Sequence, residues 1–174
     1  MKLIMMWVAL WVAPAMLPGA QPASHVVKDR QPQTIEVEEI ERRIFLRLNR
    51  ERTGRGLAAL SLAADLTQIA RGHSKDMLDR KYFDHYTPEG LAPWDRIKVA
   101  GLSQFSGSGE NLITRTRQPH LEVTLQLAEQ FMTDWMNSPG HRANILSRDF
   151  QWVGIGVAWS DTTIMATQLF GQRR

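Results

Sequence analysis

Cysteine is absent from all 174 residues. That excludes a disulfide framework, a thiol nucleophile, a cysteine-ligated zinc or iron–sulfur site and a lipidated N-terminal cysteine. Outside the cell, such a fold would be held by packing alone. Charge of one sign is scarce as well: 21 Lys plus Arg face 18 Asp plus Glu, a net of +3. No basic run concentrates that excess, so the chain lacks the electrostatic footprint of a nucleic-acid partner. HExxH, GxxxxGK[ST], GxGxxG and GxSxG are all missing, and with them the zincin, P-loop, dinucleotide and α/β-hydrolase chemistries those strings support. Gly107-Ser108-Gly109 has no Walker lysine after it and is expected to be a flexible turn. The chain shows no internal repeat and no low-complexity segment.

Long apolar runs are equally rare. The one present, Leu3 to Ala13, falls short of the roughly 20 residues a membrane-crossing helix needs. Met1-Lys2 precedes it, Pro14, Pro18 and Gly19 break it, and Ala20 offers a small residue for cleavage. Residues 1–20 therefore read as a signal peptide. The cut could fall as late as Ala23, because Pro18 holds the −3 position, and an uncleaved anchor is the alternative. The expected product is secreted or periplasmic, with no transmembrane anchor after cleavage.

The remainder reads as one domain. Residues 21–33 are polar, proline-containing and aperiodic, a flexible lead-in. The domain proper is expected over 34–174. Thr34 can cap a helix that Glu36, Glu38 and Glu39 favour at its N-terminus, and Val37, Ile40, Ile44 and Leu48 share a face until Gly54 and Gly56. A second helix after Ser61 aligns Leu62, Leu66, Ile69, His73 and Met77, placing His73 in an apolar stripe as a hydrogen-bonded core histidine. A short helix is expected between Pro93 and Gly101, and a long one from Leu121 to Asn137, stopped by Pro139-Gly140. Val153, Ile155, Val157 and Trp159 alternate, Ser160-Asp161 turns, and Ile164, Ala166 and Phe170 alternate again, a C-terminal β-hairpin. Helices first and antiparallel strands late give an α+β domain, with Trp135 and Trp152 as its large anchors.

Three polar residues stand where cores usually stop. His85 follows an aromatic pair in a loop, Glu110 precedes the apolar end of SGSGENL, and His141 follows the helix-ending SPG. Their separations are too long for a local metal motif, and each has an ordinary role open to it as a cap or loop group.

The same stretches, in the same order, resemble the cysteine-rich secretory protein, antigen 5 and pathogenesis-related 1 superfamily (CAP, or SCP-like), above all its bacterial, cysteine-free branch. The matching pieces are LNRERTGRGLAAL, ARGHSKDMLDRKYFDHYTPEG, SGSGENL, WMNSPGHRANIL and FQWVGIGVA, spread over about residues 46–170. The resemblance implies a three-layer α–β–α sandwich around an antiparallel sheet, with a central cleft lined by two histidines and two glutamates. Those positions fall here on His85, Glu110 and His141, while the second glutamate is replaced by Ser138.

Such a cleft would take a divalent transition metal weakly, zinc foremost. His85 and His141 would be its ligands, and Glu110 a water-holding neighbour or a third ligand. A metal-free polar cleft is the alternative. Asn111 and Asn144 are expected to hydrogen-bond the segments that carry Glu110 and His141, and Glu129 lies too far from position 138 to replace the missing acid. Two functions follow. One is an exported binding module for a lipid, a cell-wall fragment or a protein. The other is a metal-dependent hydrolase, directed at peptides or the cell wall, with Glu110 as general base.

Overall fold

The computed structural model describes residues 32–116 and 125–174. The expected signal peptide, most of the expected lead-in and the first residues of the expected Leu121 helix lie outside the described residues. The first helix, α1, runs Pro32–Thr53, starting two residues ahead of Thr34. Ile40, Ile44 and Leu48, one face by spacing, are fully buried. Each such side chain contributes about 1.5–3 kcal/mol through burial, so this stripe docks α1 more firmly than helix propensity does. Past the helix end Gly56 sits at φ 71°, a left-handed conformation that costs glycine nothing.

A short strand absent from the sequence reading comes next: β1, Ser61–Leu62. The second helix, α2, then spans Ala64–Arg80. Leu62 is therefore not on its face and is half exposed, while Leu66, Ala70, His73, Ser74 and Met77 form the buried side. The short helix α3 is Pro93–Val99, with Pro93 in its first turn and Gly101 at φ 73° just beyond it. Strand β2 (Phe105–Thr116), helix α4 (Leu125–Asn137) and helix α5 (Pro139–Leu146) follow. Strands β3 (Trp152–Trp159) and β4 (Thr163–Arg173) make the C-terminal hairpin.

Three expectations need correction. Pro139 does stop α4, but it also opens α5 at once: proline has no N–H to lose in a first turn. The Gly107–Gly109 segment is no turn but strand, opposite Gln172–Phe170 of β4. Its glycines allow close packing there, since a Cβ on Gly109 would lie 2.7 Å from the Phe150 ring. Trp152 is only partly buried, against a smaller cluster, unlike the fully enclosed Trp135.

The sheet has the order β1-β3-β4-β2. Its three long strands are antiparallel, as expected, but β1 pairs in parallel with Trp152–Val153, so the sheet as a whole is mixed. The long connection between β1 and β3, which includes four of the helices, leaves the direction of that pairing free. The alternation Val153-Gly154-Ile155-Gly156-Val157 explains the layers. Its aliphatic side chains join α1, α4, α5 and Trp135 in the main core. Its glycines face α2, where a Cβ on Gly154 or Gly156 would lie 2.2 or 2.1 Å from the helix backbone at Leu66 and Ala70. With α1, α4 and α5 on one face and α2 and α3 on the other, the domain is a three-layer α+β sandwich.

Candidate functional site

Glu110 projects from β2 on the same face as Leu112, which packs against Met77 of α2. Its side chain is 1% exposed, and a carboxylate so enclosed needs partners for both oxygens. Oε1 accepts from Nδ1 of His85 at 2.8 Å, and Oε2 is ion-paired with Nη2 of Arg96. Arg96, on α3, is itself nearly enclosed, and its Nη1 donates to the main-chain oxygen of His85 at 2.8 Å. His73, on α2, lies within 3.9 Å of Glu110 Oε1. Its Nε2 contacts the Asp84 carbonyl at 3.0 Å, and a carbonyl only accepts, so His73 carries its proton there. His73 is buried, as expected of a core histidine, but it borders the site rather than lying apart from it.

Two side chains thus grip successive carbonyls of one loop: His73 that of Asp84, Arg96 that of His85. Between them the His85 ring is presented with Nδ1 turned to Glu110 and its side chain still 46% exposed. His141 enters from α5. Asn111 donates to its carbonyl at 3.0 Å, and Asn144 donates to the Glu110 carbonyl at 3.1 Å and to Asn111 Oδ1 at 2.9 Å. The asparagines therefore tie β2 to α5, the holding role expected of them. The His141 side chain lines an open groove of about 270 Å³ with Phe83, Leu112, Thr114, Trp135 and Ser138. Ser138 sits at the junction of α4 and α5, and its side chain makes no helix-capping bond. Glu129 pairs instead with Arg47 on the opposite side of the sheet.

The electrostatics separate the histidines. The Glu110 carboxylate raises the His85 imidazole above the ordinary histidine range. Burial lowers His141, and the nearby charge of His85 adds to that effect. Burial likewise lowers His73. Two imidazoles, one held by a carboxylate at Nδ1 and one kept neutral, are donors suited to a divalent transition metal. Among the described residues no cluster of three or more His, Asp or Glu groups is placed to hold an ion.

Arg96 is the functional residue that sequence reasoning missed. It lies 14 positions from Glu110, and a basic residue on a short helix ordinarily reads as a solvated one. Its only local signal is that Pro93 opens the short helix α3 that carries it.

A model of the cysteine-rich secretory protein family, CAP, matches residues 45–170. The chain belongs to that family. The uncharacterized protein YkwD of Bacillus subtilis (strain 168) is 35% identical over 132 residues, which make up 76% of this chain and 47% of YkwD. The uncharacterized membrane protein YlbC of the same organism is 31% identical over 117 residues, 67% of this chain and 31% of YlbC. The chain thus spans between about a third and a half of the curated relatives it matches. Among solved structures, an extracellular SCP-domain protein from Bacillus anthracis superposes with a TM-score of 0.66 at 28% identity, covering 83% of this chain and 44% of that one. Among the described residues of this CAP protein, no helix is long and apolar enough to cross a membrane.

Proposed function

We propose that this CAP protein is an exported binding module whose His85–Glu110–His141 cleft receives a lipid, a cell-wall fragment or a protein at the cell envelope or beyond it. The observation that carries the reading is the condition of Glu110. Both of its oxygens already hold donors, His85 and Arg96. A general base must come within hydrogen-bond reach of the proton it abstracts, and a carboxylate only 1% exposed with both oxygens engaged serves better to orient a histidine. The groove beside it joins the apolar Phe83, Leu112 and Trp135 to the polar Ser138 and His141. A mostly apolar lining with a few convergent polar groups is the usual composition of a ligand site.

The donor set also suits zinc, held weakly by His85 through Nε2 and by His141, with water completing the coordination. When bound, the ion would supply a Lewis-acidic centre for an oxygen or nitrogen of the ligand. Glu110 then acts through its hydrogen bond to His85, the commonest support for a metal-bound histidine. Affinity should fall on acidification, since each imidazole must shed a proton to coordinate.

The deciding experiment pairs native mass spectrometry of protein from its own host with zinc-supplemented hydrolysis assays on peptide, ester and peptidoglycan substrates. The His85→Ala/His141→Ala double variant is the control. A co-purifying lipid or glycan without turnover supports the module; zinc-dependent turnover lost in the double variant overturns it. For the metal, calorimetric titration should show zinc binding weakened at least tenfold by His141→Ala, and undiminished binding would remove His141 from the site.

A further inference from the structure

Arg96 and His73 hold the loop that bears His85 from two directions. Arg96 donates to the carbonyl of His85 itself and to Glu110. His73 contacts the carbonyl one residue earlier, that of Asp84. The two come from helices on the same face of the sheet, and they converge on one carboxylate. We infer that Arg96 is a positioning residue: by occupying Glu110 Oε2 and anchoring the His85 main chain, it leaves Oε1 to accept the hydrogen bond from His85 Nδ1 and so turns Nε2 outward as the ligand-facing atom. The inference rests on the binding-module reading only for what meets that nitrogen. The orientation of the ring stands on its own.

A neutral imidazole carries one N–H, and whichever nitrogen is free is set by the hydrogen bond the other makes. Glu110 can only accept while it is a carboxylate, so His85 must donate from Nδ1. Without Arg96, Oε2 would be left bare in a nearly closed site, and either a water or the His85 ring would have to move to meet it. The carbonyl of His85 would lose its anchor in the same event. Both changes loosen the ring that Arg96 now holds from its two ends. A surface salt bridge would do neither, but Arg96 is only 9% exposed, which puts this pair in the class where losing one partner is felt.

The test reads the ring directly. Nitrogen-15 NMR of the metal-free protein, at a pH where the imidazoles are neutral, reports which His85 nitrogen bears the proton. In the parent, Nδ1 should be the protonated one. In Arg96→Met, His85 should become a mixture of both tautomers, and zinc affinity should drop by about 10–100-fold, the usual effect of removing such outer support. Arg96→Lys keeps a cation near Glu110 but lacks the fork that reaches both acceptors, so it should lie between the two. It also serves as the readout should Arg96→Met fail to fold. A His85 spectrum unchanged in a folded Arg96 variant overturns the inference. A parent that binds no zinc, but whose His85 tautomer still shifts in the variants, overturns the zinc reading and leaves the positioning role intact.

Discussion

Two enclosed carboxylates, each paired with an arginine, flank opposite edges of the sheet. Glu41 of α1 pairs with Arg71 of α2, whose Nε lies 2.9 and 3.0 Å from its oxygens, and also accepts from the Val157 amide of β3 at 3.0 Å. Glu110 pairs with Arg96 and accepts from His85. The parts are the same except for the third partner. A main-chain amide closes the first cluster: Glu41 satisfies the buried Val157 N–H of β3 and, through Arg71, staples α1 to α2. A half-exposed, titratable ring completes the second, and that is what sets it apart as the candidate site. The arginines differ too, Arg71 being 43% exposed and Arg96 9%. A carboxylate–guanidinium pair is therefore no mark of function by itself. What the third partner can exchange with solvent decides.

Trp135 supports the second cluster from the core, since its Nε1 donates at 3.1 Å to the Leu112 carbonyl, two residues beyond Glu110. Trp135→Ala should cost about 3–5 kcal/mol in denaturant unfolding and disturb the Glu110 cluster more than the Glu41 one. A melt within a degree of the parent would show that α4 is not packed as described. Next in size is the contrast between the arginines. Arg96→Met should cost about 3–5 kcal/mol, as breaking an enclosed pair does. Arg71→Met should cost only about 1–3, because Glu41 keeps the Val157 amide and the lost partner is far more exposed than Arg96. Equal losses would erase the contrast.

Acidity sharpens it further. His85 is raised in the folded state, so its contribution to stability is full below about 6.5, the unfolded value, and is lost as pH rises through the folded one. His141 is lowered, so its penalty appears as pH falls below about 6.5, where the unfolded chain takes up the proton first. The stability gap between parent and His85→Ala should therefore widen on acidification, while that for His141→Ala should narrow. Thermal melts across neutral and mildly acidic pH would show it, and parallel trends would contradict the arrangement. The smallest effect belongs to Glu129→Gln, which removes an exposed pair with Arg47 and should change stability by less than about 1 kcal/mol.

Much of this was legible in the residues. Ile40, Ile44 and Leu48 announced a buried helical face, and the alternation through Val153 and Ile164 announced a hairpin, because burial imposes a period on each element. His85, Glu110 and His141 were singled out, though spacing alone left each an ordinary loop group, and only the resemblance to CAP proteins joined them. Illegible were β1, whose two residues carry no period, and the strand at Gly107–Gly109, where glycine for close packing looks the same as glycine for a turn.

What the sequence by itself determined is therefore the main helices and the C-terminal hairpin, their buried faces and the absence of cysteine, each a matter of local pattern or composition. What only the tertiary structure decided is how the polar residues are used. Arg96 sits on a helix that reads as solvated, and His73 in a stripe that reads as core. Both meet at Glu110 because α2 and α3 lie over one face of the sheet. Long-range pairing of charges leaves no periodic trace in a chain, and a carboxylate's partners are chosen by which helices happen to cover it.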